Sequence, residues 1–244
     1  MKPRTLGAGL AAVATVLAVA SAQASPPKGD APDVLQQLVL KGAPVFCGGN
    51  RGSLVALTFD DGPSPWTIRL AAALRRVHAP STFFLVGRRI RVWRAGARAA
   101  VRAGALGNHT WSHPHLRRLG ASAVTRQLRW TQLEILKATG EIPPLFRPPY
   151  EQADRRIDGI ARSLGLLDVR WNVDSGDAVK GASPAGVVRT VVSTTRPGSI
   201  ILLHDSHPWT AAIVPAIVRG LRARGLRPVT VATLLEHDPP AARC

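Results

Sequence analysis

From residue 53 onward, seven short apolar segments recur with helix-patterned stretches between them. They are Val55–Phe59, Thr82–Val86, Ala105–Gly107, Leu145–Arg147, Leu167–Val173, Ile200–Leu203 and Leu226–Thr230. Short runs of this kind read as buried strands. Between them, Ser122–Lys137 places Val124, Leu128 and Ile135 on one helical face, with Ser122 in the N-cap position. Ala211–Arg224 carries Ile213, Ile217 and Leu221 at i, i+4 and i+8. The alternation predicts a mainly parallel sheet covered by helices, either an open α/β sheet or a (β/α) barrel. In both, functional groups gather at the C-terminal ends of the strands. With 244 residues, 45% of them hydrophobic, the chain can bury one large core, and no internal apolar run is long enough to span a membrane.

The flanks read differently. Lys2 and Arg4, an apolar stretch from Leu6 to Ala20, and Ala22-Gln23-Ala24 follow the order of a secretory signal over residues 1–24. Export to a periplasm, a cell wall or the medium is expected, with no membrane span after cleavage. Residues 25–52, rich in Pro and Gly, read as a linker and lead-in with one short helical pattern near Val34–Leu40; the domain is placed at 53–235 and a tail at 236–244. Export also puts the only two cysteines, Cys47 and Cys244, in an oxidising compartment, where their pairing would tie the ends of the domain together. Lys+Arg total 32 against 15 Asp+Glu, a formal charge of +17, and no acid at all lies between Asp61 and Glu134, a stretch with thirteen Arg. One side of the molecule is therefore expected to be basic, either as a solvated face or as a surface for anionic cell-wall polymers. No nucleic-acid-binding signature accompanies it.

Five polar clusters follow five of the strand patterns. In Thr58-Phe59-Asp60-Asp61-Gly62-Pro63, two adjacent carboxylates are costly unless a cation relieves their repulsion; one can then bind a metal while the other acts as a base, although a plain capped turn reads the same way. His109-Thr110-Trp111-Ser112-His113 spaces two imidazoles at i and i+4, which on a helical turn would face one ion; two imidazoles and a carboxylate suit zinc, and also iron, cobalt or nickel. His115 follows as a competing ligand with poorer spacing. Phe146-Arg147-Pro148-Pro149-Tyr150 sets a permanently charged guanidinium before a rigid turn, able to hold a carboxylate ionised. Asp174-Ser175-Gly176-Asp177 and Leu202-Leu203-His204-Asp205 complete the set.

In this order, TFDDGP at 58–63, HTWSH at 109–113, RPPY at 147–150, DSGD at 174–177 and LLH at 202–204 closely resemble the motifs of the polysaccharide deacetylase family, the NodB homology domain of carbohydrate esterase family 4. The resemblance covers about Ser53 to Leu235. It implies a distorted (β/α) barrel of about seven parallel strands in a single domain. It further implies Asp60 as general base, Asp61, His109 and His113 as ligands of Zn2+ or another divalent ion such as Co2+, Ni2+ or Fe2+, and Arg147 as the group that orients Asp60. Tyr150 would donate its backbone N–H to an oxyanion, and Asp177 would hold and tune His204, the general acid. The implied reaction is removal of N-acetyl groups from N-acetylglucosamine polymers, peptidoglycan or chitin-type. The sequence departs from the family pattern at Ala178, where Trp is usual, at Glu151, where Gly is common, and at Gly104–Asn108, which looks one residue short. Two other readings stay open: an O-acetyl esterase acting on xylan-type substrates, and a noncatalytic protein that binds the wall through its basic face.

Overall fold

In a computed structural model, Met1 and residues 33–240 are described. The expected signal segment, Met1 apart, therefore lies outside the described residues, as do residues 25–32 and the end of the tail with Cys244. Among the described residues there are eight strands: β1 (Leu54–Gly62), β2 (Ser81–Leu85), β3 (Gly104–Asn108), β4 (Leu145–Phe146), β5 (Leu167–Asp168), β6 (Val173–Asp174), β7 (Ile200–His204) and β8 (Arg227–Val229). The helices are α1 (Val34–Lys41), α2 (Thr67–Arg76), α3 (Gly87–Val92), α4 (Arg94–Val101), α5 (Ala121–Thr139), α6 (Arg155–Ser163), α7 (Pro184–Thr194), α8 (Thr210–Ala223) and α9 (Val231–His237). None of the helices among the described residues is long and apolar enough to cross a membrane.

The strands pair in parallel in the order β5-β4-β3-β2-β1-β7-β6, and β8 pairs with the first residues of β1. The sequence pattern Leu167–Val173 is thus two short strands at opposite ends of this order. Its start pairs with β4 through Leu145↔Leu167, and its end pairs with β7 through Val173↔Ile201. The five steps from Asp168 to Val173 span at most about 18 Å, so the two edges must lie close together, and the sheet curls into a distorted barrel rather than an open sheet. A five-residue register runs unbroken between β2 and β3, from Ser81↔Gly104 to Leu85↔Asn108.

Strand alternation divides the core. Val55, Leu57 and Phe59 of β1, Phe83 and Leu85 of β2, and Ile201 and Leu203 of β7 belong to one cluster with the outer helices. Leu54 and Ala56, Phe84 and Ile200 belong to a second, with Leu35 of α1 and Val231, Leu234 and Leu235 of α9. Thr58 and Asp60 continue the parity of Ala56, so they share the face of the second cluster, as do Leu202 and His204 after Ile200. Residues 33–52 are accordingly not a loose lead-in: Leu35 packs in that cluster, and the Val45 N–H donates to the Asp168 carbonyl at 2.9 Å. Asp33 caps α1 by accepting from the Gln36 N–H, whereas α5 begins at Ala121 behind Gly120 with no side-chain cap, one residue before the expected Ser122. Cys47 is buried and disulfide-bonded.

Candidate active site

All eight candidate residues come from the C-terminal ends of strands or the loops that follow; six of them line one cavity, and Arg147 and Asp177 stand behind it, bonded to Asp60 and His204. The cavity, about 510 Å³, is lined by Asp60, Asp61, His109, His113, Tyr150 and His204, with Pro148, Glu151, Trp171, Ala178 and His207 among its other walls. That volume is within the usual range for small-ligand sites. Asp60 sits directly opposite His204 in the β1–β7 register, which places the two groups on neighbouring strands facing the same way.

Asp60 is buried and held by Arg147, whose Nη1 donates to Asp60 Oδ1 at 2.8 Å and to Thr58 Oγ1 at 2.7 Å. Arg147 is fully buried; its Nε donates to the Val169 carbonyl at 2.9 Å and its Nη2 to the Arg170 carbonyl at 3.0 Å. Its guanidinium lies 4.2 Å from the centre of the Phe84 ring. Burial works against the cation, and the Asp60 charge and hydrogen bond work for it. Thr58 is the part of this pair that motif reading missed, although it opens the TFDDGP sequence.

Asp61, His109 and His113 form a second group whose ligand atoms all lie within 4.8 Å of one another. Asp61 Oδ1 is 3.2 Å from His113 Nε2 and 3.8 Å from His109 Nε2. The Arg147 carbonyl can only accept, so the 2.8 Å contact to His109 Nδ1 puts the proton on Nδ1 and leaves the Nε2 lone pair facing the carboxylate. Burial and the neighbouring His109 lower the His113 pKa to about 4 against the pull of Asp61 and Asp60, which keeps this imidazole neutral at neutral pH. Burial also opposes the Asp61 carboxylate, but His109, His113, His204 and Arg89 together outweigh it and hold the carboxyl below its usual range. Two bare imidazole nitrogens and one carboxylate are the donor set of a divalent transition-metal site.

The two histidines do not share a helical turn. Residues 109–113 are a loop, with Thr110 at φ 66° and His113 at φ 60°. Side chains shape it: Asn108 Oδ1 accepts from the Thr110 N–H at 2.9 Å, Thr110 Oγ1 from the His113 N–H at 3.1 Å, and Gln127 Oε1 from the Ser112 N–H at 2.9 Å. His115 does not join the cluster. It stacks on the Tyr150 ring at 4.2 Å and bonds to Gln152 Oε1 at 3.0 Å, while the His113 ring meets the same tyrosine edge-on at 4.6 Å. Tyr150 itself has φ 57°, and among the described residues none accepts its backbone N–H.

His204 Nδ1 donates to Asp177 Oδ1 at 2.7 Å, and the His204 backbone N–H donates to Oδ2 of the same carboxylate at 2.7 Å. Asp177 is buried and does not reach the cavity surface. Burial lowers the pKa of His204, but Asp177, helped by Asp60 and Asp61, raises it to about 9, so the imidazolium persists at neutral pH with Nε2 as its second N–H. Motif reading assigned no role to Trp171 and His207, two further walls. His207 stacks on Trp209 at 4.8 Å. Glu151, 3.9 Å from Arg170 Nη1, and Ala178 both border the cavity, so the departures from the motif pattern alter its walls and leave the polar groups in place.

Residues 48–169 match the polysaccharide deacetylase family. A peptidoglycan-N-acetylglucosamine deacetylase of Listeria monocytogenes is 32% identical over 180 residues, covering 72% of this chain and 38% of the relative. A bifunctional xylanase/xylan deacetylase of Cellvibrio japonicus is 35% identical over 183 residues, covering 74% and 27%. The chain thus spans well under half the length of these two relatives. The solved structure of the Bc1960 peptidoglycan N-acetylglucosamine deacetylase superposes with a TM-score of 0.75 at 29% identity, over 81% of this chain and 95% of that one.

Proposed function

The chain belongs to the polysaccharide deacetylase family, and we propose that it is an exported, metal-dependent hydrolase removing N-acetyl groups from N-acetylglucosamine-containing polysaccharide of the peptidoglycan or chitin type. The observation that carries this reading is the pairing of a buried carboxylate, Asp60, with a protonated imidazole, His204, on adjacent strands beside the Asp61–His109–His113 cluster.

Asp61, His109 and His113 fit a divalent cation, zinc first among them. Held there, such an ion supplies Lewis-acid chemistry, polarising a carbonyl and acidifying water. The protein's own groups do the rest. Asp60, fixed by Arg147, takes a proton from the attacking water as its oxygen bonds to the acetyl carbon. The Tyr150 backbone N–H donates to the oxyanion that develops on the former carbonyl oxygen. His204, kept charged by Asp177, gives its Nε2 proton to the leaving nitrogen as the C–N bond breaks. The products are acetate and a free amine. The signal pattern of residues 1–24 and the disulfide-bonded Cys47 support export.

The test is acetate release by the purified chain from N-acetylglucosamine oligomers and from peptidoglycan, with zinc, with a chelator, and with Asp60→Asn. Release abolished by the chelator and by the substitution is the expected result. No release from either substrate by folded, metal-loaded protein would overturn the proposal. The altered cavity walls at Glu151 and Ala178, together with the xylan deacetylase relative, favour O-acetyl xylan as the second reading, so acetylated xylan belongs in the same assay.

A further inference from the structure

A second cavity lies at the other end of the barrel. It has a volume of about 820 Å³ and is lined where α2 and α4 end and where β2 and β3 begin, by Arg75, Arg76, His78 and Arg102 over a floor of small residues from Ala79 to Pro80 and Ala103 to Gly104. Arg222 reaches the same place, donating to the His78 carbonyl at 2.9 Å. We propose that this cleft binds an anionic polymer carrying repeated phosphate groups, holding it at a surface separate from the catalytic cavity.

Three observations carry the proposal. The first is that the charge is unpaired. No carboxylate lines the cleft, and among the described residues none forms an ion pair with Arg75, Arg76 or Arg102. Other arginines of the acid-free stretch are committed elsewhere: Arg89 to the Asp61 carbonyl, Arg91 to Glu134, and Arg98 to the Ala138 carbonyl. The second is a matter of magnitude. Arginines at helix ends offset the helix dipole, but two C-termini amount to about −1 charge in total. Three guanidiniums in the lining, with a fourth alongside, exceed that by two or more. The third is local conformation. His78 adopts φ 48° just after α2, where the His78 N–H bonds to the Arg75 carbonyl and the Ala79 N–H to the Leu74 carbonyl. This helix stop usually takes Gly; the sequence instead sets an imidazole, a hydrogen-bond donor, at the edge of the cleft.

Guanidinium groups match phosphate oxygens in paired hydrogen bonds, a geometry they share with carboxylates, and a phosphodiester polymer keeps one fixed negative charge at every repeat. The lining offers no Trp, Tyr or Phe on which nucleobases would stack, which argues against a single-stranded nucleic acid. Nothing in the cleft depends on the catalytic reading, so the two can fail separately.

The experiment measures binding of a fluorescent poly(glycerol phosphate) oligomer to the purified chain over a series of salt concentrations. The cleft variant combines Arg75→Gln, Arg76→Gln and Arg102→Gln. A second triple variant, Arg94→Gln, Arg126→Gln and Arg129→Gln, removes the same charge from exposed positions on α4 and α5. Circular dichroism and Tm establish that both fold. The cleft variant is expected to bind about tenfold more weakly or worse at low salt, with a log–log salt slope smaller by roughly two to three, while the second variant stays near the wild type. Equal losses in the two variants would mean net charge alone is read. Unchanged binding by the cleft variant would place the polymer elsewhere. Equal affinity for an oligothymidine, or full displacement by inorganic phosphate at matched phosphate concentration, would remove the assigned ligand. Each of these four results overturns the proposal.

Discussion

Replacing Asp177 by asparagine isolates the group that sets the charge on His204. The carboxylate accepts both the Nδ1 proton and the backbone N–H of His204, each at 2.7 Å. Burial alone lowers the imidazole pKa; Asp177, with Asp60 and Asp61 behind it, reverses that and raises it from 6.5 to about 9. The difference of 9 − 6.5, at 1.36 kcal/mol per unit, corresponds to about 3 kcal/mol of folding free energy. Because the folded-state value is the higher one, this stabilisation is fully present below pH 6.5 and is lost as the pH rises through about 9. Asparagine keeps the shape and one accepting oxygen but no charge. In metal-free protein, urea melts should therefore show Asp177→Asn less stable than wild type by about 3 kcal/mol at pH 6. By pH 10 the gap should shrink to the ~1 kcal/mol of a weakened hydrogen bond. The NMR titration of the His204 ring should move from about 9 in the wild type back to the ordinary 6.5 or lower in the variant. A stability gap of equal size at both pH values, or a wild-type midpoint already near 6.5, would refute the claim that Asp177 maintains the imidazolium.

Arg147→Met should destabilise the protein by about 3–5 kcal/mol in denaturant titrations, because it leaves the buried Asp60 without its partner; a loss under about 1 kcal/mol would show that Asp60 does not need it. Zinc at a hundred times its dissociation constant should stabilise the wild type by about 2.7 kcal/mol, seen as a rise in Tm. That rise should disappear in His109→Ala and in His113→Ala, and its survival in either would remove that residue from the ligand set. Leu35→Ala should cost about 2–3 kcal/mol by the loss of buried aliphatic contacts, whereas a truly loose lead-in would tolerate it without measurable change.

The order of strands and helices was legible because each strand of a covered parallel sheet is a short apolar run, as Leu54–Phe59 shows. Pairing partners were not, since they are non-local. Leu167–Val173 looks like one strand in any window of sequence, and only the contacts of its two ends, with β4 and with β7, reveal that this segment closes the barrel. Composition also misled at the N-terminal side. Pro and Gly between residues 25 and 52 suggested a linker, while Leu35 and Val45 are core residues that need only one short helix and one bridge to reach their sites. The eight polar candidates stand out in the sequence because their motifs are contiguous. The geometry of the histidine pair was not found, because a spacing of four residues is shared by a helical turn and by a loop built on side-chain hydrogen bonds.

That loop belongs to a wider pattern. Six residues other than glycine have positive φ among the described residues, and five of them lie around the cavity: Asp61 at the end of β1, and Thr110, His113, Tyr150 and Glu151 in the segments after β3 and β4. Each costs on the order of 1–3 kcal/mol and persists only where surrounding contacts fix it. The hydrogen bonds from Asn108 and Thr110 do this for the histidine loop, and the arginine Arg89 does it at the Asp61 carbonyl. At Asp61 the result is chemical. Two neighbouring acids would repel if they served one site, but φ 72° at Asp61 turns the chain between them. Asp60 then meets Arg147 at 2.8 Å on one side, and Asp61 meets His113 at 3.2 Å on the other. The like-charge penalty that makes Asp-Asp improbable at a strand end is relieved by Arg147 at Asp60 and His113 at Asp61, with His109 Nε2 3.8 Å from both carboxylates. This division is what the proposed roles of Asp60 as base and Asp61 as metal ligand require.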